Sequence, residues 1–368
     1  MRIAFCLPFK PLDNPRPSGD VTIAADLKET LEGFGHEVTV LPHFPAKWIY
    51  WKPWRWHRAL GALDRMMEKA QGADCVLTYS SYYKVPDIYG PTIAERIEAP
   101  YFLFSASYAP KRGKAVKTMV GHWLNRRAML AASHVFCNKL PYFETAGWLL
   151  PPERYSLVKP GFRPAQFVRN EQGREKLRRA WSAGNRLVIC TAAMMRAGVK
   201  AEGLRWTMDA CAELKRRGRN ILLVVAGDGP LRSELENRAG KLLGNDALFL
   251  GAVARERMSV FYSAGDVFAF PGLEESIGMV YLEAQSCGLP VVATNDEGAP
   301  QVVCNGHSGL ISGNTPGDFT EALDRLAADS GLRARLGRQA AGYVRAEHDL
   351  RVTCKNVEQI MSEIVYTQ

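Results

Sequence analysis

Pro271-Gly272-Leu273-Glu274-Glu275-Ser276-Ile277-Gly278-Met279-Val280-Tyr281-Leu282-Glu283-Ala284-Gln285-Ser286-Cys287-Gly288-Leu289-Pro290-Val291-Val292-Ala293-Thr294 is the stretch on which the reading of this chain turns. Proline and glycine open it as a turn. Ser276 to Gly278 leads into a short helix, expected over Met279 to Ser286 and closed by Gly288. Glu275 and Glu283 lie eight positions apart across the helix start. On a continuous helix that spacing corresponds to roughly 12 Å. It suits a long polar ligand whose anionic middle faces the amide groups and positive dipole end of the helix, with a carboxylate at each end accepting hydrogen bonds from hydroxyls. A lone Glu is more often a solvated residue. Glu283, however, stands among Val280, Leu282, Ala284 and the apolar run from Leu289 to Ala293, a poor setting for a solvent-facing charge.

Working outward, hydrophobic runs and helical periodicities alternate along the chain. Strands are expected at 2–7, 37–41, 75–79, 101–104, 134–137, 186–191, 220–226, 248–253, 267–270 and 289–293. Helices are expected between them at 20–33, 91–97, 119–132, 203–217, 231–243 and 255–264, and near the end at 316–326, 332–348 and 351–364. This alternation predicts an α/β protein with doubly wound parallel sheets. The Pro- and Gly-rich segment 158–167 marks a linker. At 368 residues the chain fits two domains, 1–170 and 171–348, followed by a terminal segment 349–368.

The motif resembles the donor-binding motif of family-four retaining glycosyltransferases with the GT-B fold, the glycosyl transferases group 1. Pro271, Glu275, Gly278, Leu282, Glu283, Ala284, Gly288 and the run from Pro290 to Thr294 carry the likeness. The family's Glu-Gly-Phe-Gly stands here as Glu275-Ser276-Ile277-Gly278.

The resemblance implies two doubly wound, Rossmann-like domains facing a cleft, with a nucleotide diphosphate sugar bound by the second domain and the acceptor by the first, and with the terminal helix in 349–368 crossing back to the first. Glu283 would then hold the ribose hydroxyls and Glu275 the donor sugar. Amides of Ser276, Ile277, Gly278 and Met279 would surround sugar and phosphate. Arg196 and Lys200 match by type the basic pair that stabilises the departing diphosphate, and Val253 lies where backbone groups meet the base. Gly19, in Ser18-Gly19-Asp20, corresponds to one of the paired loop glycines near the donor phosphates, though a plain turn glycine reads equally well. Many relatives have a histidine after the strand that here ends in Ser105, Ser107 and Tyr108.

Charge is unevenly divided. Residues 1–170 hold 23 Lys and Arg against 14 Asp and Glu, whereas the remainder balances at 24 against 24. A basic half can meet nucleic acid, an anionic membrane or an acidic acceptor. No nucleic-acid-binding motif accompanies it, so nucleic acid ranks last. Trp48, Trp51, Trp54 and Trp56 are interleaved with Lys47, Lys52, Arg55 and Arg58. This composition suits a peripheral membrane anchor or a platform for a lipid-linked acceptor, and equally a partly buried aromatic loop or a sugar-stacking surface. Lys111, Arg112, Lys114 and Lys117 form either a solvated face or a hold on an anionic acceptor.

No apolar run reaches the length of a membrane span. The amino terminus reads as a strand rather than a secretion signal, so a cytoplasmic protein is expected, with the inner membrane face as a further option. The eight scattered cysteines form no metal-ligand spacing and are expected to be buried thiols. No metal or bound cofactor is implied beyond the donor itself. The expected activity is transfer of a sugar to a glycan or lipid-linked acceptor in cell-surface polysaccharide or lipopolysaccharide assembly. The alternatives are a nucleotide-sugar-binding protein without transfer and a phosphorylase or epimerase of the same fold.

Overall fold

The computed structural model describes residues 1–14, 19–275 and 277–367. They form two compact units, Met1–Gly161 with Leu350–Gln368, and Phe162–Asp349.

Unit 1 is built on six parallel strands, β1 (Arg2–Cys6), β2 (Glu37–Val40), β3 (Cys75–Ser81), β4 (Tyr101–Ala106), β5 (His134–Cys137) and β6 (Tyr155–Leu157), in the order β2-β1-β3-β4-β5-β6. Helices α1 (Gly19–Gly33), α2 (Trp56–Ala70), α3 (Gly90–Arg96), α4 (Val116–Ala131) and α5 (Leu140–Ala146) connect them. Every residue of β3, β4 and β5 is buried, as expected of parallel strands covered on both faces. The core on one face of the sheet includes Ile3, Phe5, Leu27, Leu31, Phe102 and Phe104 together with Val357 and Met361.

Unit 2 repeats the plan. After α6 (Glu171–Ala180) come β7 (Leu187–Ala192), α7 (Val199–Arg216), β8 (Ile221–Ala226), α8 (Arg232–Leu243), β9 (Ala247–Phe249), α9 (Arg255–Ala264), β10 (Val267–Ala269) and α10 (Met279–Ser286). They are followed by β11 (Val291–Thr294), α11 (Ala299–Val302), β12 (Gly309–Ser312), α12 (Pro316–Ala328) and α13 (Ser330–Glu347). The strands are all parallel and lie in the order β12-β11-β10-β7-β8-β9. The final helix, α14 (Leu350–Thr367), belongs to unit 1, where it packs on α1.

Some boundaries differ from the sequence expectation. The helix expected from Gly203 begins at Val199, so Lys200 sits in its first turn. Among the helices unforeseen in the sequence, α2, α5, α6 and α11, α2 and α6 have different origins. The first continues directly from two short 3-10 turns in the tryptophan-rich stretch. The second buries no residue and is started by Asn170, whose side chain accepts the Gly173 amide hydrogen, a good N-cap on an otherwise polar helix. Cys304 is exposed, against the expectation of burial, while the other seven cysteines are buried. Among the described residues no helix is long and apolar enough to cross a membrane.

Candidate functional site

The strand order of unit 2 reverses direction between β7 and β10. β7 is bonded to β8 on one side and to β10 on the other, so the connections leaving β7 and β10 diverge. A parallel sheet of this kind opens a crevice outside the carboxyl ends of those two strands. The β7 exit carries Arg196 and Lys200, and the β10 exit carries Pro271 to Gly278.

These exits meet. Lys200 makes an ion pair with Glu275, both side chains being largely buried, and its ammonium stands over the Phe270 ring, 5.5 Å from the centroid. Burial, and then the nearby charge of Arg196, hold the Lys200 pKa below that of an ordinary lysine. Arg196 itself is exposed. The sequence reading assigned Lys200 and Glu275 to different parts of one ligand; the structure brings them into contact.

Tyr281 fixes the path of the β10 exit. Its hydroxyl donates to the Phe270 carbonyl at 3.1 Å, and a Cβ on Gly272 or Gly278 would stand 2.0 or 2.4 Å from its side-chain atoms. Both glycines also have positive φ, 76° and 79°, so the bend around the Tyr281 ring needs residues without a side chain. Thr294 holds the start of the loop, donating to the Pro271 carbonyl from its amide at 3.0 Å and its hydroxyl at 2.8 Å. Gly278 caps α10 without a side-chain hydrogen bond. Among the described residues no side chain caps the first amides of the helix, and Met279 is the first of them. Ile277 precedes them, half-buried. Ser276 lies outside the described residues.

Glu283, the fifth residue of α10, is 7% exposed. Tyr262 donates to its Oε2 at 2.8 Å, and the Arg255 guanidinium reaches its Oε1 at 3.3 Å. Burial raises its pKa, against the opposing effects of the Tyr262 hydrogen bond and the Arg255 charge. Tyr262 and Arg255, both on α9, escaped sequence reasoning. A tyrosine beside Phe261 on the buried face of α9 was the available signal, since a buried phenol needs an acceptor.

The turn after β8 is bound to the same edge. Met195 donates its amide hydrogen to the Asp228 carbonyl and accepts from the Leu231 amide, each at 2.9 Å, while Gly227 donates to Gly251 at 2.8 Å. Val253 is half-buried on the chain beyond. The loops after β7, β8 and β9 are thus tied edge to edge by backbone bonds.

In unit 1 the strand order reverses between β1 and β3. Gly19 is the first residue of α1, beyond the β1 exit. Ser80 and Ser105, at the ends of β3 and β4, are buried and left-handed, with φ of 70° and 62°. Such strain in residues with a side chain concentrates at functional edges. Trp48 is also left-handed, at φ 56°, and its ring meets those of Tyr50 and Tyr83. Trp51 donates its indole hydrogen to the Lys117 carbonyl at 2.9 Å. Arg112 lies over the Tyr83 ring, 4.9 Å from the centroid, whereas Lys111 is exposed. Trp54 is 67% exposed. The structure therefore gathers Trp48, Trp51 and Arg112 into one aromatic and basic patch against α4 and leaves Trp54 projecting.

Residues 189–342 match the family model of the glycosyl transferases group 1. The chain is 32% identical over 190 residues to the GDP-mannose-dependent alpha-(1-6)-phosphatidylinositol monomannoside mannosyltransferase of Mycolicibacterium smegmatis, a stretch covering 49% of each chain. It is 27% identical over 279 residues to the alpha-D-kanosaminyltransferase of Streptomyces kanamyceticus, covering 74% of this chain and 66% of that one. The matches thus span about half and just under two thirds of these relatives' lengths. Among solved structures, Anabaena HepE in complex with UDP superposes with a TM-score of 0.77 at 18% identity, covering 99% of this chain and 100% of that one. The chain has the two-domain GT-B fold, and its residues 189–342 are similar to the glycosyl transferases group 1.

Proposed function

We propose that the protein is a retaining, metal-independent glycosyltransferase moving a sugar from a nucleotide diphosphate sugar to a glycan or lipid-linked acceptor, in cell-surface polysaccharide or lipopolysaccharide assembly. The observation that carries the donor site is the convergence, at the β7/β10 switch point, of Lys200, Glu275 and the glycine-capped start of α10. Cations and amides there offset the charge that builds on the leaving diphosphate as its bond to the anomeric carbon breaks. The Glu283 carboxylate accepts from the ribose hydroxyls and Glu275 orients the sugar. In a front-face transfer the acceptor oxygen bonds to the anomeric carbon on the side the diphosphate leaves, and the acceptor proton passes to the departing phosphate oxygen. No protein nucleophile is required.

Unit 1 supplies the acceptor and membrane side of this reading. The patch of Trp48, Trp51 and Arg112 adjoins α4, whose residues Val116, Met119, Val120 and Trp123 are all exposed. Their spacing of three, four and seven makes one apolar stripe. No Asp or Glu occurs between Glu37 and Asp64, or between Glu98 and Glu144, while these two segments carry eleven Lys and Arg. An apolar stripe flanked by two segments that carry Lys and Arg without an acid fits the headgroup layer of an anionic membrane. The mannosyltransferase relative is named for a phosphatidylinositol-linked acceptor, in keeping with a lipid-linked substrate here.

The test is a thermal-shift screen of nucleotide sugars, followed by turnover with the stabilising donor. Release of nucleoside diphosphate with a product of the donor's own anomeric configuration supports the proposal. Stabilisation without release points to a binding protein, and turnover that depends on free phosphate points to a phosphorylase.

A further inference from the structure

At the opposite end of the unit 2 sheet, where β10 and β11 begin, a cavity of about 530 Å³ is lined by Arg169, Arg174, Arg333, Arg338 and Arg345, with Asp266 as its one acid. The volume lies within the range of small-ligand sites. Residues 171–368 carry balanced charge, so this concentration of arginine is local.

The carboxylate of Asp266 is already committed. It accepts from Arg174 at 2.6 Å, from Arg178 at 2.9 Å and from the Val188 amide at 2.8 Å. Arg169 is paired with Glu171. Among the described residues Arg333 donates to the carbonyls of Leu326 and Ala327, at the end of α12, and to no carboxylate. Among the described residues Arg338 and Arg345 have no hydrogen-bond or ion-pair partner. They are seven residues apart on α13, two turns along one face and roughly 10.5 Å along the axis. Ala334 and Ala341 line the cavity from the same helix and leave the space between the arginines open.

We infer that this cavity is a second anion site, distinct from the donor crevice, for a small molecule bearing a diphosphate group. Three arginines without carboxylate partners match the charge and the several acceptor oxygens of a diphosphate, which guanidinium groups bind bidentately. The site touches the donor machinery through α10. Ser286 and Gly288, at the carboxyl end of that helix, line the cavity, and Glu283 stands one turn earlier. α13 crosses this end so closely that a Cβ on Gly337 would be 2.5 Å from the Gly288 carbonyl oxygen. Occupancy that shifts α13 therefore bears on α10. That consequence rests on the donor reading above, whereas the existence of the site does not.

Inorganic pyrophosphate and adenosine diphosphate are titrated calorimetrically into the full-length protein, the Arg196→Ala/Lys200→Ala variant and the Arg338→Ala/Arg345→Ala variant, with circular dichroism confirming the fold of each. Pyrophosphate binding is expected to persist in the first variant and to weaken at least tenfold at the cavity in the second. Tighter binding of adenosine diphosphate than of pyrophosphate would identify a nucleotide as the occupant; the reverse order would identify a bare diphosphate. Complete loss of binding in Arg196→Ala/Lys200→Ala, or full retention in a folded Arg338→Ala/Arg345→Ala, overturns the site. Unchanged turnover of the nucleotide sugar by Arg196→Ala/Lys200→Ala would instead count against the donor reading and leave the cavity proposal standing.

Discussion

Tyr262 donates its phenolic hydrogen to Glu283 at 2.8 Å from one helix to the next within the core of unit 2. The carboxylate is costly there, because burial raises its pKa further than Tyr262 and Arg255 lower it. A raised carboxyl pKa means that the folded state binds more protons than the unfolded one, so stability falls as pH rises from the ordinary glutamate range through the raised value. Glu283→Gln removes that loss. Its melting point at neutral pH should exceed that of the native protein by roughly 2–4 °C, equivalent to about 1 kcal/mol, with the gap closing near about pH 4. Nucleotide-sugar affinity should fall at least tenfold. Thermal melts from acid to neutral pH check the first point and calorimetry the second; a gap that widens towards acid would refute the assignment.

Lys200 and Glu275 come from exits 75 residues apart in sequence and form one ion pair. Lys200→Ala removes one cation of the proposed donor site and leaves Glu275 without its ion-pair partner. The expected loss in kcat is about 10²- to 10³-fold, the magnitude associated with one electrostatic stabiliser of a developing charge, with the donor KM changed only a few fold. Glu275→Gln should also slow transfer. The double variant should lose less than the product of the single losses, because the two side chains act on each other. Strictly multiplicative losses would mean that the pair does not work as a unit.

How much of this was legible depends on distance along the chain. The bounds of α10, Met279 to Ser286, follow from the pattern around Gly278 and Gly288, because local backbone preferences set them. The burial of Glu283 follows from its apolar neighbours. Its partners do not: Tyr262 and Arg255 are 21 and 28 residues away, and only the packing of α9 on α10 brings them in. The Lys200 contact with Glu275 required the strand order, which no local signal encodes. In unit 1 the tryptophan-rich stretch drew attention by composition, and this obscured the helical periodicity of α2, whose buried residues Ala59, Ala62, Met66 and Ala70 are spaced three or four apart. The exposed stripe of α4 was likewise hidden, since an apolar helical stripe ordinarily marks a core face.

Gly229 has φ of 152°, and a Cβ there would stand 2.5 Å from the Met195 carbonyl oxygen, the acceptor of the Leu231 amide. Gly229→Ala should cost about 2–4 kcal/mol through strain and loss of this backbone tie, and should disturb the loop bearing Arg196. Gly240, inside α8, meets nothing within 4 Å, so Gly240→Ala should stabilise the protein by about 0.5–1 kcal/mol through helix propensity. Urea melts of the two variants should move in opposite directions.

The α4 face predicts selective vesicle binding. Val116 is 77% and Trp123 58% exposed, and each basic residue near an anionic surface adds about 1 kcal/mol of attraction. The protein should float with phosphatidylglycerol vesicles and not with phosphatidylcholine, and added salt should weaken the binding. Trp54→Ala/Trp123→Ala should reduce recovery several fold while leaving donor binding intact. Equal recovery with both lipids, unaffected by the substitutions, would exclude an anionic membrane as the partner of this face.

Asp266 ties α6 and the start of β7 to the start of β10 at the floor of unit 2, accepting from Arg174, Arg178 and the Val188 amide. Burial pushes its pKa up, but the hydrogen bonds from Arg174 and the Val188 amide and the charges of Arg174 and Arg178 outweigh burial, so the carboxyl titrates below the ordinary aspartate value. Its contribution is therefore complete above the ordinary aspartate range and is lost as pH falls through the lowered value. Asp266→Asn keeps the shape but leaves two arginines beside a neutral amide. Removing one partner of a buried pair costs about 3–5 kcal/mol, and the variant should consequently lose most of the acid dependence of this site together with that stability. Denaturant melts at neutral and acid pH measure both: the difference between native and variant protein should be largest at neutral pH and shrink on acidification. A difference that stayed constant from neutral pH to well below the aspartate range would show that the carboxylate charge is not what holds Arg174 and Arg178 in place.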